Sequence, residues 1–161
     1  MATYSFVDTS VSITGPGGSF IVGGQGAANA QEGITVERNA DKNTLTVGAD
    51  GSPMNVLAAR EDGKVTIRLQ KTSPVNAMLS SLYNTQKVSS AMWGQNVITI
   101  NNTVLGDNWT LAQCAFKKHA NVNYNAEGGT NEWEFDVGIV QSVLGNGGTV
   151  ASAAALVQQS V

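Results

Sequence analysis

Along most of this chain, apolar side chains recur at every second position, the period of a half-buried β-strand. Residues 64–71 carry the pattern most clearly. Val65, Ile67 and Leu69 fall in one phase, and Lys64, Thr66, Arg68 and Gln70 in the other. Ile34, Val36 and Arg38 alternate with Thr35 and Glu37, and Leu45 and Val47 alternate with Thr44 and Thr46. The polar stretch 39–43 between them predicts that these two runs form one hairpin. Further strands are predicted over 3–13, where Val7, Thr9, Val11 and Ile13 share a phase, and over 96–104, 109–119 and 132–140. Turns fall at Gly15-Pro16-Gly17-Gly18, Gly106-Asp107 and Gly128-Gly129. The short apolar run Phe20-Ile21-Val22 leads into a loop over 23–29.

One segment has the helical period instead. Ser73 is a good N-cap, and Pro74 suits the first helical position because its missing N–H has no partner there anyway. Val75, Met78, Leu79 and Leu82 follow on one face, which predicts a helix over about 74–85 with that stripe turned to the core. Strands on both sides of a single helix predict an antiparallel sandwich or barrel with the helix packed against it.

Composition narrows the function. The 161 residues make one domain, over 1–144, followed by a Gly/Ala-rich tail over 145–161. The formal net charge of −3 argues against a general nucleic-acid binder. Only 13% of residues are charged, so surfaces repel one another little and self-association is permitted. No apolar run approaches the ~18 residues of a membrane span, and no signal-peptide pattern opens the chain. A soluble protein made in a reducing cytoplasm is therefore expected.

The chemistry-bearing residues are few. His119 is the only histidine, placed beside Lys117 and Lys118, and supports no hydrolytic triad. Cys114 is alone and reads as a core thiol in phase with Ala112 and Phe116. The spacing Gly24-x-Gly26-x-x-Asn29 lacks the third glycine of a dinucleotide loop. No catalytic residue, metal site or cofactor is assigned. The informative set is Glu132, Glu134 and Asp136, which alternate with Trp133, Phe135 and Val137 and so share one face of a strand. Three like charges in a row want water, a cation or cross-strand Lys and Arg.

Several segments occur in the order found in a known family. They are Met1-Ala2-Thr3-Tyr4-Ser5-Phe6, Thr14-Gly15-Pro16-Gly17-Gly18, Glu32-Gly33-Ile34-Thr35-Val36-Glu37, and Asp41-Lys42-Asn43-Thr44-Leu45-Thr46-Val47-Gly48-Ala49-Asp50-Gly51. The most distinctive is Lys71-Thr72-Ser73-Pro74-Val75-Asn76-Ala77-Met78-Leu79 leading to Leu82-Tyr83-Asn84, and Trp93-Gly94-Gln95-Asn96, Gln113-Cys114-Ala115-Phe116-Lys117-Lys118 and Gly128-Gly129-Thr130 with Glu132-Trp133 follow. Over residues 1 to about 144 the chain resembles tail tube proteins of contractile-tailed bacteriophages.

The resemblance implies a structural subunit with no catalytic residues. It would form stacked, hexameric rings inside a sheath, with terminator and baseplate initiator proteins at the ends. The tape measure protein and then DNA would occupy the lumen. The location implied is the virion tail, assembled in the host cytoplasm. On this reading Glu132, Glu134 and Asp136 are expected to face the lumen. The connection 48–63, read as irregular and polar, is expected to be a ring-stacking arm through Asp50, Gly51, Ser52, Pro53, Met54, Asn55, Arg60, Glu61 and Asp62. Gly23, Gly24, Gln25 and Gly26 form a competing contact loop. The alternatives are the inner tube of a phage-derived injection system, carrying protein, and a monomeric β-barrel that binds a small ligand.

Overall fold

A computed structural model describes residues 3–23, 29–122 and 124–145. A 3-10 turn over Phe6–Asp8 leads into β1 (Thr9–Gly15) and β2 (Gly18–Gly23), followed by β3 (Asn29–Arg38), β4 (Asn43–Val47), β5 (Pro53–Leu57) and β6 (Gly63–Gln70). The helix α1 (Val75–Gln86) precedes β7 (Asn96–Asn102), β8 (Asp107–Phe116) and β9 (Thr130–Val143). Among the described residues, seven strands form one sheet in the order β2-β1-β7-β8-β9-β6-β3, and β4 and β5 pair only with each other. All pairings are antiparallel. The architecture is mainly β with one packed helix, as the pattern predicts. The sheet curls far enough that Gly23, on edge strand β2, lies against Ile34 of edge strand β3. A Cβ at Gly23 would come within 2.6 Å of the Ile34 Cδ1.

The core lies between α1 and one face of the sheet. Val11, Ile13, Val65, Ile67, Leu69, Ile98, Leu111 and Phe135 are wholly buried there, with Leu79 of the helix. Burying side chains of this size contributes roughly 1.5–3 kcal/mol each. Tyr83, Trp93, Phe116 and Trp133 add an edge-to-face and tilted aromatic cluster at one end. Trp133 donates its indole N–H to the Asn76 Oδ1 at 3.1 Å, which ties β9 to the helix.

Four expectations change. First, β3 pairs with β6 rather than β4, and residues 53–57 are a strand: the hairpin is β4–β5, turning at 48–52, so 39–43 is its root and not its tip. Second, Val7 belongs to the 3-10 turn and is exposed, not in a strand. Third, Met78 is exposed and Gln86 takes its place in the buried stripe. Gln86 can be buried because it exchanges two hydrogen bonds with the Asn96 amide, at 2.6 and 2.9 Å, and donates a third to the Pro16 carbonyl. Fourth, Ala112 does not share a phase with Cys114. Gln113, at φ 55°, is the extra residue of a bulge where β8 slips against β7. Leu111, Cys114 and Phe116 therefore face the core, and Ala112 is only partly buried. At the helix start, the Ser73 Oγ accepts the Val75 N–H at 3.3 Å, and Pro74 already has helical φ and ψ.

Candidate assembly site

The face of the sheet opposite the core carries the acidic trio. Trp133, Phe135 and Val137 are buried, and Glu132, Glu134 and Asp136 point the other way on β9. The register explains why three carboxylates tolerate one row. Glu132 stands opposite Arg68 and Asp136 opposite Lys64 on β6. The Arg68 Nε lies 3.6 Å from a Glu132 oxygen, and the Lys64 Nζ lies 3.9 Å from a carboxylate oxygen of Glu37 on β3. Arg68 also donates to the Thr35 hydroxyl at 2.9 Å. On the other side the Lys117 N–H bonds to the Glu134 carbonyl, so Lys117 sits at the register position opposite Glu134. The remaining strands extend this face with Ser12 and Thr14 on β1 and Thr99 and Asn101 on β7. The result is a hydroxyl- and amide-rich surface whose carboxylates outnumber its cations and whose two central cations are held by carboxylates.

The β4–β5 hairpin leaves the body between β3 and β6, and every residue of both strands is exposed. Its root is charged. Glu61 meets Lys42 and Arg38, and Asp62 accepts from Arg60 at 2.8 Å and from Asn39 at 2.8 Å. Hydrogen bonds from Arg60 and then Asn39 pull the Asp62 carboxyl down to about 2. The hydrogen bond and charge of Lys42 lower Glu61 as well. The Glu61 carbonyl accepts the Val140 N–H at 2.8 Å, which fastens the root to β9. The tip is closed by Asp50, whose carboxylate takes the Ser52 N–H and hydroxyl at 3.0 and 2.9 Å. Between root and tip the side chains are largely apolar: Leu45, Val47, Met54, Val56 and Leu57 are each about half exposed or more. Of the arm residues named from the sequence, Asp50, Gly51 and Ser52 make the tip, Pro53, Met54 and Asn55 the second strand, and Arg60, Glu61 and Asp62 the root. Sequence reading missed Leu45 and Val47 as surface residues because alternating aliphatics ordinarily signal burial, and missed Val56 and Leu57 because 48–63 reads as an irregular polar connection.

A second apolar surface lies between β2 and α1. A groove of about 360 Å³ runs there, lined by Gly18, Ser19 and Phe20 on one side and Ala77, Met78 and Ser81 on the other. Of the competing loop, Gly23 is buried at the end of β2, and Gly24, Gln25 and Gly26 lie outside the described residues, as does the tail from 146 onward.

His119 is exposed, as its sequence context suggests, but its ring is held in place. Its Nε2 meets the Ser80 hydroxyl at 3.0 Å, its Nδ1 meets the Ala120 carbonyl at 3.2 Å, and its ring lies 4.8 Å from Trp133. With a carbonyl rather than a carboxylate behind it, the ring is a packing and hydrogen-bonding group. Burial pushes the Cys114 thiol up to about 12, so it is no nucleophile. Among the described residues no cluster of His, Cys, Asp and Glu is arranged to hold a metal, and no helix is long and apolar enough to cross a membrane.

Among the described residues, the sheet ends at β2 and β3, one of its faces is polar and carries no helix, and an apolar hairpin projects from it; these are surfaces suited to meeting other chains. The family model described as bacteriophage PhiTE tail tube protein matches residues 1–145. The chain belongs to this tail tube family. Tail tube proteins are structural, and this one is not an enzyme. No curated protein matches the sequence.

Among solved structures, the tail tube fold recurs in a chain from the sheath-tube complex of the extracellular contractile injection system PVC in the extended state. That chain has a TM-score of 0.56 and 10% identity over 88% of this chain and 92% of the other. A chain of the PVC sheath/tube terminator gives 0.56 at 12% identity, over 89% and 98%. One from the baseplate of the anti-feeding prophage gives 0.53 at 14% identity, over 89% and 96%. At such identities the likeness is one of fold.

Proposed function

We propose that this tail tube protein closes into rings of six that stack inside a contractile sheath, forming the conduit through which DNA leaves a phage capsid. The number six, and the tape measure protein that precedes DNA in the lumen, rest on the family resemblance. Terminator and baseplate initiator proteins would cap the ends, and the particle would be assembled in the host cytoplasm. Subunits join edge to edge, β2 of one beside β3 of the next. A strand at the end of a sheet can template another chain's strand, and a head-to-tail contact that closes by rotation makes a ring.

The helix-free polar face then lines the lumen. The observation that carries this reading is the pairing of its cations: Lys64 and Arg68 lie beside Glu37 and Glu132. Every phosphate neutralised by a free Lys or Arg would add affinity and slow a passing polyanion. A wall with Glu132 and Asp136 exposed, Glu134 half-buried between them, and its central cations occupied avoids that. The hairpin, projecting past the sheet, reaches the adjacent ring.

Electron microscopy of the purified protein tests this reading. Striated hollow rods are the expected result, and isolated globules at all concentrations would reject it. A second reading is favoured by the contractile injection systems among the similar folds: the same tube with protein as cargo. Mass spectrometry of the native particles separates the two, by the presence of capsid protein and DNA or of effector proteins.

A further inference from the structure

Two apolar surfaces of this molecule lie at opposite ends of its sheet. Strand directions alternate across the order β2-β1-β7-β8-β9-β6-β3, so the end where β3 stops and β6 begins is opposite the end closed by the β1–β2 turn. The hairpin leaves from the first end. The groove between β2 and α1 opens at the second, beside Gly17 and Gly18. Neither surface can cover the other within one chain.

Their chemistry matches. By register, Asn43, Leu45, Val47, Pro53, Asn55 and Leu57 share one face of the hairpin. Asn43 donates to the Asn55 Oδ1 at 3.2 Å, so part of the polar capacity of this face is met within the hairpin. Four aliphatic side chains remain, Leu45 at 58% and Leu57 at 77% exposure. Strands β4 and β5 contain no ionisable residue, and neither does the groove lining, Met78 and Phe20 included. An isolated two-stranded ribbon is marginal in water, and an exposed apolar patch bounded by polar residues marks an interaction surface.

We propose that the Leu45–Val47–Leu57 face of the hairpin seats in the α1–β2 groove of a second copy of this chain, the copy in the adjacent ring. The inference rests on the assembly reading above and supplies the receptor for the hairpin. A donor at one end and an acceptor at the other give a heterologous contact, which repeats without closing and so propagates along the axis. The charged root, Arg38, Lys42, Arg60, Glu61 and Asp62, fixes the direction in which the hairpin projects.

Disulfide trapping tests the contact. Cys114 is wholly buried, so it does not compete with cysteines introduced at exposed positions. Val47→Cys combined with Met78→Cys, oxidised under assembly conditions, is expected to give a ladder of covalent oligomers on a non-reducing gel. Thr46→Cys with Met78→Cys, on the opposite hairpin face, is expected to give none. A second measurement uses charge: Met78→Glu is expected to cut rod formation at least tenfold with the subunit still folded, and Val47→Lys in the same chain to restore it. Wild-type rods without the Val47–Met78 ladder, or Met78→Glu subunits that assemble normally, overturn the groove and leave the assembly reading standing. Wild-type protein that never forms rods overturns both.

Discussion

The β6–β9 pair and the β4–β5 pair are both antiparallel, and β6 and β4 both carry aliphatics in alternate positions, yet they live in opposite environments. Val65, Ile67 and Phe135 are wholly buried, whereas Leu45, Val47 and Met54 are more than half exposed. Alternation decides which side chains share a face; it does not decide whether that face is covered. The central pair is covered by α1 and the curl of the sheet, while the hairpin projects beyond both. One pattern therefore makes a core in one place and a surface for another chain in the other.

The contrast can be broken most forcefully in the core. Phe135→Ala should cost about 3–5 kcal/mol, read as a lower denaturation midpoint, because it opens a cavity among Phe116, Trp133 and their neighbours. Leu45→Ala, a comparable truncation on the hairpin, should stay within about 0.5 kcal/mol. Equal losses at the two sites would mean that the hairpin face is covered as the core is.

The buried amide pair gives the next largest effect. Gln86→Ala should cost about 1–3 kcal/mol, since the Asn96 amide is left buried without its partner. Replacing both residues together, Gln86→Leu with Asn96→Leu, should recover part of that loss. A double variant less stable than Gln86→Ala would show that the site demands polarity.

Acid should loosen the hairpin root before it harms the body. The Asp62 carboxyl is held near 2 against an ordinary value of 3.8, and Glu61 is also held low. A depressed folded-state value contributes stability that is fully present above the unfolded value and lost as pH falls through the folded one. Between about pH 4.5 and 2, amide exchange over residues 43–57 should accelerate while the β6–β9 amides stay protected. Uniform acceleration across both regions would contradict this. Asp62→Asn should remove most of the dependence.

The smallest effect is chemical. The Cys114 thiol is raised from 9.0 to about 12 by burial, so the native protein should resist iodoacetamide at pH 8 and react once denatured. A raised value contributes stability that is present below about pH 9 and is lost as pH climbs toward 12. Labelling of the folded protein at pH 8 would mean that β8 opens locally.

Much of the body was legible because each of its strands carries its own signal. Val65-x-Ile67-x-Leu69 and Trp133-x-Phe135-x-Val137 read correctly, and Ser73-Pro74 marked the helix start. The hairpin was misread at its turn. Residues 39–43 are as polar as the true tip at 48–52, and Pro53 reads as a breaker although it is tolerated as the first residue of a strand. The Gln113 bulge has no local cue, since a glutamine at φ 55° is dictated by the strands on both sides of it.

By itself, the sequence determined which residues share a face in the regular strands β6 and β9, where the helix begins, and that Glu132, Glu134 and Asp136 stand together opposite an apolar row. Those properties follow from covalent geometry, period two in a strand and 3.6 in a helix. Only the tertiary structure decided that Arg68 and Lys64 stand beside those carboxylates, that Asn96 accepts Gln86 into the core, and that Leu45 and Val47 remain uncovered. Each of these depends on a partner distant in the chain, and burial and charge pairing have no value until that partner is in place.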